Sequence, residues 1–482
     1  MDKRIEIMAP AGNFECLMAA IQGGADSVYF GVGNLNMRSH SANNFTNEDL
    51  PEVVRICREH GVKTYLTLNI VVYQTEMEDV RKALEAARDA GISAVIASDM
   101  AVIQMARSMG IEIHASTQMN ISNFEAVKFY AQFADVIVLA RELTLPQIKD
   151  ISNRIKEENV CGPSGELLRL ELFVHGALCM SISGKCYLSL QEYGASANRG
   201  SCYQLCRRGY RVTDLETGRE LEIDNKYIMS PKDLCTIEFI DKIIDAGISV
   251  FKIEGRARSA EYVKIVTSAY RQAADACCSI PASQTAVSIP ANQTQTYTRA
   301  TSCSTDEHPT SGNVHSEKDK CLSVTTAESA SADSNSTKSD ESVNRTDGVM
   351  GCYTEEMKRE LKERLSGVFN RGFWDGYYQG ARLGEWSEVY GNKASRKKVY
   401  AAKITNYFSK LGVAEVLVEA GEIKLGDDIL IIGPSTGCVE LKIAEIRVDL
   451  KPVDKAVKGD LCSIPVSDKL RRSDKLYLWQ PA

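Results

Sequence analysis

The chain has 482 residues, 25% of them charged and 44% hydrophobic, the proportions of an ordinary globular protein with length for two or three domains. Its 57 Lys and Arg against 64 Asp and Glu leave a net charge of −7, which excludes coating DNA by bulk charge but allows a local basic patch for RNA. No apolar run nears the roughly 18 residues of a membrane span, and Met1 to Pro10 carries no signal-peptide pattern, so a cytoplasmic protein with no membrane partner is expected.

One phrase recurs along the first part of the chain, a glycine followed by a short apolar strand. Gly24 precedes Ala25–Phe30, Gly61 precedes Val62–Leu66, Gly91 precedes Ile92–Ile96, Gly110 precedes Ile111–His114, and Gly247 precedes Ile248–Lys252. Glycine ends a helix in the left-handed conformation and a buried strand begins at once. Ile5–Met8, Val136–Ala140, Leu170–Val174 and Tyr227–Ser230 are further strand candidates. The segments between read as helices. Thr46 is an N-cap before Leu50, Val53, Val54 and Cys57, and Thr75 with Glu78 forms a capping box ahead of Met77, Val80, Leu84 and Ala87. Strands alternating with helices, about eight in all, predict a TIM-like (β/α) barrel over residues 1–278. A doubly wound open sheet is the alternative, but Ala9-Pro10-Ala11-Gly12 is not the G-x-G-x-x-G of a dinucleotide fold.

In such a barrel the chemistry lies at the C-terminal ends of the strands. Polar residues fall there repeatedly: Asn69, Ser98, Asp99, His114, Gln118, Arg141, Glu142, His175, Lys232, Asp233, Glu254 and Arg256. Any one of them can be a helix cap or half of a structural pair; as a ring they mark a mouth.

Residues 279–349 turn to Ser, Thr, Asn, Asp and Gln, lose apolar periodicity, and are predicted to form a disordered insertion whose Cys303 and Cys321 are poor site candidates. A helical connector over 350–395 opens with a Lys/Glu-rich helix from Tyr353 to Leu365 and continues into the aromatic Phe369–Trp374. Residues 396–482 read as a small β-barrel with strands Val399–Ile404, Val413–Val418, Asp428–Ile432, Val439–Ile446 and Asp460–Ile464. Gly433-Pro434-Ser435-Thr436-Gly437 matches G-x-S-x-G, but strands flank it on both sides, so it reads as a β-turn and not a nucleophile elbow.

Fifteen cysteines in a reducing compartment point to metal or redox chemistry before disulfides. Four of them, Cys179, Cys186, Cys202 and Cys206, share the polar, Gly-rich loop 176–208 just past a barrel strand, spaced C-x6-C-x15-C-x3-C. Four thiolates can hold an iron–sulfur cluster or a zinc ion. Zinc sites favour C-x₂₋₄-C pairs, and only the second pair here is close, which tilts the reading towards iron–sulfur. A zinc-stapled loop and, less so, two disulfides stay open. Arg199, Arg207, Arg208 and Arg211 flank the last two cysteines and suit thiolate or phosphate.

These residues resemble peptidase family U32. The resemblance rests on Glu171-x-Phe173-x-x-Gly176-Ala177-Leu178-Cys179, Gly184-x-Cys186-x-x-Ser189, Tyr227–Leu234, Lys252-Ile253-Glu254-Gly255-Arg256, the Ala9–Gly12 start and Phe369–Phe373, and covers nearly the whole chain outside the insertion. It implies a barrel plus a C-terminal β-barrel, as in the bacterial tRNA hydroxylation proteins of that family. It further implies formation of 5-hydroxyuridine at the tRNA wobble position, with prephenate as a small carboxylate co-substrate, and an iron–sulfur cluster, 4Fe-4S, on Cys179, Cys186, Cys202 and Cys206. Relatives hydroxylate a ribosomal RNA cytidine or, as paired subunits, a quinone precursor, so a partner subunit is also an expectation.

Within that reading Glu254 and His175 are candidates for acid–base work. Lys232, with Asp233 beside it, and Arg256 are candidates for phosphate or carboxylate, and Arg396-Lys397-Lys398 with Arg471-Arg472 for the tRNA body. The family's peptidase and collagenase names make a hydrolase the second class, weakly supported because no H-E-x-x-H is present. A non-catalytic RNA-binding subunit with a structural cluster is the third.

Overall fold

A computed structural model describes residues 4–40, 43–218, 227–278, 353–389 and 391–482. The predicted insertion, 279–349, lies outside the described residues. Strands β1 (Glu6–Pro10), β2 (Ser27–Gly31), β3 (Lys63–Leu68), β4 (Ala94–Ala97), β5 (Glu112–Ala115), β6 (Val136–Val138) and β7 (Arg169–Gly176) lie side by side in chain order, all parallel. A later strand, β9 (Val250–Ile253), pairs in parallel with both β7 and β1 and closes the ring. The TIM-like barrel is therefore present, with eight parallel strands.

The outer layer contains α1 (Phe14–Gln22), α2 (Leu50–Glu59), α3 (Met77–Ala90), α4 (Met100–Ser108), α5 (Phe124–Tyr130), α6 (Leu145–Glu157), α8 (Ile240–Asp245) and α9 (Ala260–Cys278), while the short α7 (Leu188–Tyr193) belongs to the cysteine loop. All five glycines of the repeated phrase have left-handed backbone. Gly91 shows why: at φ 78° it reverses the chain after α3, and Ile92 N–H returns to Ala87 O, so only a residue without a Cβ fits there cheaply. Thr46 caps as expected, its N–H and Oγ1 both reaching Asp49 Oδ2, one turn ahead of α2. The cap before α3 is shifted: Tyr73 N–H donates to Glu76 Oε2 at 2.8 Å, and Thr75 is not the N-cap. The buried face of that helix is still Val80, Leu84 and Ala87.

One predicted strand is absent. Tyr227–Ser230 is a turn, closed by Ser230 N–H to Tyr227 O. The strand follows it as β8 (Asp233–Cys235), which runs antiparallel to the end of β7 and lies outside the ring. The aromatic and apolar run misled the pattern; Pro231 and the edge position decide the outcome.

The connector is helical only in α10 (Glu355–Ser366), capped by Thr354 Oγ1. The rest is loop apart from β10 (Phe373–Trp374), which pairs with β8. The C-terminal domain comprises β11 (Arg396–Phe408), β12 (Val413–Val418), β13 (Glu422–Lys424), β14 (Asp428–Gly433), β15 (Gly437–Lys442), β16 (Arg447–Val448), β17 (Lys451–Pro452), β18 (Lys455–Val457), β19 (Leu461–Pro465) and β20 (Lys475–Pro481). Eight of these form one antiparallel sheet and β13 pairs with β18; the inward side chains share a single apolar core that includes Ile404, Val416, Ile423, Ile431 and Ile464. The Gly433–Gly437 segment is the expected hairpin turn between β14 and β15.

That hairpin also joins the domains. Gln22 at the end of α1 donates to Thr436 O at 2.8 Å and accepts from Cys438 N–H at 2.9 Å, and Lys264 of α9 reaches Cys438 O. Leu430, Ile432, Cys438 and Trp479 belong to the same apolar cluster as the barrel's outer layer, so barrel and C-terminal domain pack as one body. No helix among the described residues is long and apolar enough to cross a membrane.

Candidate functional site: a cationic cleft ringed by thiols

A cleft opens at the C-terminal end of the barrel strands. All four clustered cysteines line it. Its wall also carries Arg38, Arg141, Arg207, Lys252, Arg256, Arg258 and Arg371, seven cations, against a single carboxylate, Glu254. On a chain of net charge −7 that concentration of positive charge is local and directed, and the low-dielectric walls strengthen its field.

Each cation is aimed by a neighbour. Arg38 grips Glu254 Oε1 through Nη2 at 2.8 Å and Nε at 3.2 Å. Arg256 donates to Thr67 Oγ1 at 2.8 Å and Asn36 Oδ1 at 3.0 Å. Arg141 lies 3.8 Å over the Phe173 ring and donates to Ala177 O, while Lys252 donates to Glu171 Oε1 at 2.6 Å. The Nε atoms of Arg141 and Arg256 are buried with no hydrogen-bond partner within the protein. Buried donors left unpaired are costly, and an anion in the cleft is the natural acceptor.

Glu254 is held as a carboxylate. Burial alone would raise its pKa, but Arg38, Arg141 and Arg256 outweigh burial and pull it to about 2. At neutral pH it cannot donate a proton; it orients Arg38 and balances charge. Arg256 is pushed down to about 10 by burial and stays cationic.

The cysteines are free thiols, so the disulfide alternative has no counterpart here. Burial raises the Cys206 pKa to about 11, opposed by Arg207, and the thiols of Cys179, Cys202 and Cys186 add to the rise, so the four face a common space. A zinc tetrathiolate has Zn–S near 2.3 Å and needs its sulfurs within about 4 Å of each other. Among the described residues no three His, Cys, Asp or Glu side chains stand close enough to share one ion. Four thiols lining one space are a donor set that either an iron–sulfur cluster or a zinc ion would take.

Of the other residues singled out from sequence, Glu254 and Arg256 line the cleft with Asn69, Gln118 and Arg141. His175, Lys232 and Asp233 do not. His175, near the end of β7, is buried away from the cleft, its Nδ1 3.3 Å from Tyr270 OH; burial, with Arg258, lowers its pKa to about 3, so it is a neutral core imidazole. Lys232 pairs with Glu385 at 2.7 Å, and Asp233 is buried against Arg371 at 3.2 Å. The arginines near the cysteines divide. Arg199 binds Glu76 and stacks on Tyr73, and the half-buried Arg207 donates to Leu178 O, Ser230 Oγ and Pro231 O, so both pin the loop, whereas Arg208 is exposed on Tyr193. In the C-terminal domain Arg396 pairs with Asp428 and Lys398 with Glu261, while Lys397, Arg471 and Arg472 are exposed.

Sequence reasoning missed Arg38, Lys252, Arg258 and Arg371 as cleft residues. Lys252 had a usable signal: it lies on β9 two residues before Glu254, which directly follows that strand, and extended chain puts such residues on the same face. Arg38 and Arg371 come from loops remote in sequence and had none.

A TIM-like barrel with a cysteine-ringed cationic mouth defines a class of binding or catalytic barrel. Comparison with known proteins places it further: the chain belongs to peptidase family U32, whose profile matches residues 12–322. It is 49% identical over 472 residues, 98% of this chain and 97% of the relative, to a protein of Porphyromonas gingivalis (strain W83) named collagenase. It is 37% identical over 286 residues, 58% of this chain and 65% of the relative, to tRNA hydroxylation protein P1 of Bacillus subtilis. It is 36% identical over 274 residues, 57% of this chain and 40% of the relative, to the 23S rRNA 5-hydroxycytidine C2501 synthase of Escherichia coli. The chain thus spans less than two thirds of both hydroxylation relatives.

Proposed function

We propose that this protein hydroxylates a pyrimidine in a single-stranded RNA loop, with the tRNA wobble uridine as substrate and 5-hydroxyuridine as product. The observation that carries the reading is the convergence of four thiols and seven cations against one carboxylate in a single cleft at the barrel mouth. Cys179, Cys186, Cys202 and Cys206 would hold a 4Fe-4S cluster, which when bound supplies one-electron transfer. The cationic wall suits RNA phosphate and a small carboxylate co-substrate such as prephenate, with the unpaired Nε atoms of Arg141 and Arg256 as the donors free to bind it. A base in a single-stranded loop is already unstacked, so placing it in the cleft costs little. Glu254 keeps Arg38 oriented and stays ionised, and the exposed Lys397, Arg471 and Arg472 offer phosphate contacts on the C-terminal domain.

The collagenase name of a nearly full-length relative favours a peptidase as the second reading. The cleft gives that reading little to work with. None of its lining residues is a histidine to activate a cysteine, and Thr436 of the G-x-S-x-G turn is tied to Asp474 in a tight hairpin.

The test is nucleoside mass spectrometry of tRNA from cells lacking the gene and cells with it restored. Loss and recovery of 5-hydroxyuridine, absent with Cys179→Ser, is the expected outcome. An unchanged tRNA profile sinks the wobble-uridine reading, and peptide release by cluster-free protein would favour the peptidase.

A further inference from the structure

The interior of a (β/α) barrel is ordinarily packed with branched apolar side chains. Here the apolar cluster inside the ring has seven members, Met8, Tyr29, Tyr65, Ala94, Ile96, Val136 and Val250. Ionisable groups fill much of the remaining space. Lys252 Nζ, at the floor of the cleft, is 2.6 Å from Glu171 Oε1. Glu171 Oε2 is 3.7 Å from His114 Nδ1, and His114 Nε2 is 3.3 Å from Glu112 Oε1. Glu171 and His114 are 0% exposed and Lys252 5%, but Glu112 is 39% exposed. Glu112 opens β5, so it stands at the end of the barrel opposite the cleft.

We infer that Lys252, Glu171, His114 and Glu112 form a proton path along the barrel axis, linking the cleft to solvent at the far end. Buried charge is expensive and apolar filling would be more stable, so this column needs a reason other than stability. Two of its atoms supply one. His114 Nδ1 and Glu171 Oε2 are fully buried, face each other as an ion pair at 3.7 Å, just beyond hydrogen-bond length, and have no nearer partner. A pair held this long repays little of its burial, and an approach of a few tenths of an ångström completes the hydrogen bond that a proton would cross. The other groups facing the path are Tyr65, whose ring is 4.4 Å from His114 and whose OH is on Glu6, Arg169, which binds Glu6 at 2.7 Å and approaches Glu112 at 4.0 Å, and Tyr29 beneath Lys252. Burial alone would lower the His114 pKa, but Glu112 and Glu171 win and raise it, so protonated His114 is accessible near neutral pH.

Each transfer moves one proton. The Lys252 ammonium gives a proton to a basic atom in the cleft and takes one from Glu171; Glu171 takes one from His114, and His114 from Glu112 or water. One proton enters at Glu112 and one leaves at Lys252, with no electrons moved and only N–H and O–H bonds exchanged. Such a path lets the cleft exchange protons with solvent while RNA covers its mouth.

The kinetic half of the test rests on the RNA-hydroxylation reading; the proton path itself does not. Glu112→Gln lies far from the cleft and His114→Gln cannot titrate. With full-length protein and tRNA, kcat is expected to fall about tenfold for Glu112→Gln and about 100-fold for His114→Gln, with tRNA affinity unchanged and the alkaline limb of the pH profile displaced. Small imidazoles should rescue His114→Ala with rates that follow the pKa of the added imidazole, which a structural role would not give. Active wild type with variants equal to it in kcat and pH profile overturns the path and leaves hydroxylation standing. If wild type does not act on RNA, the functional reading fails, and ¹⁵N imidazole NMR decides the path alone. The expected result is a His114 signal that titrates between pH 5 and 9 and shifts in Lys252→Met; a signal fixed in one neutral tautomer overturns it.

Discussion

The protein has two β-lined interiors, and they are filled on opposite principles. The C-terminal core is apolar throughout, from Ala401 to Leu476, and the buried polar residues of that domain, Thr436 and Asp474, bond each other where the docking hairpin turns. The barrel interior holds Glu6, His114, Glu171 and Lys252, all buried. The first arrangement stabilises by transfer and packing. The second sacrifices stability along the axis that leads to the cleft, which marks the barrel interior as part of the working site and the C-terminal core as support.

The sharpest way to break this contrast is to unpair one side of the charged column. Lys252→Met leaves Glu171 buried beside a neutral neighbour and is expected to cost about 3–5 kcal/mol of folding free energy, read by denaturant melts. The double variant Glu171→Leu/Lys252→Met should recover most of that loss, because a buried pair is dispensable for stability even when half a pair is not. In the apolar core, Ile431→Ala should cost about 3 kcal/mol by cavity formation and leave turnover per folded molecule intact.

Acid and base probe two groups on the barrel side in opposite senses. Glu254 is held near pKa 2 against an ordinary 4.5, so its stabilisation is present above the ordinary value and lost as pH falls towards 2. The shift corresponds to about 3 kcal/mol, and the melting temperature of Glu254→Gln should therefore depend less on pH across that acid range than wild type does. His114 runs the other way. Its pKa is raised above 6.5, so its stabilisation is complete below that value and lost as pH rises through the folded-state value. The stability gap between wild type and His114→Gln should accordingly narrow on the alkaline side.

Much of the scaffold was legible in the sequence because it obeys local rules. Five glycines followed by strands, and strands alternating with helices, specify a parallel barrel almost residue by residue. The four cysteines were legible as a group because a polar, Gly-rich loop past a strand end has nowhere to go but the mouth. His175 was not, for an identifiable reason. Strand alternation from Glu171 through Phe173 would aim residue 175 inward. The register shifts between Phe173 and His175, which now pairs with outward-facing Ile253, and that irregularity turns the imidazole under Tyr262 and Tyr270. No composition or period announces such a shift. The grip of Arg38 on Glu254 joins residues 216 apart and was equally silent.

Lys232 gives the smallest effect and the cleanest check on where the cleft ends. Its position after a signature turn made it a candidate for phosphate or carboxylate, yet its ammonium is on Glu385, which is half exposed, and its backbone N–H donates to Glu385 O at 2.9 Å. The main-chain bond fixes the segment whatever the side chain does, and a pair this open to solvent contributes little. Lys232→Met is therefore expected to change stability by less than about 1 kcal/mol and to leave the proposed tRNA hydroxylation, and any RNA affinity that goes with it, at wild-type levels. A several-fold loss of RNA affinity in that variant would mean the RNA path extends past the cysteine loop to the β8 edge, and the cationic wall would then have to be redrawn to include it.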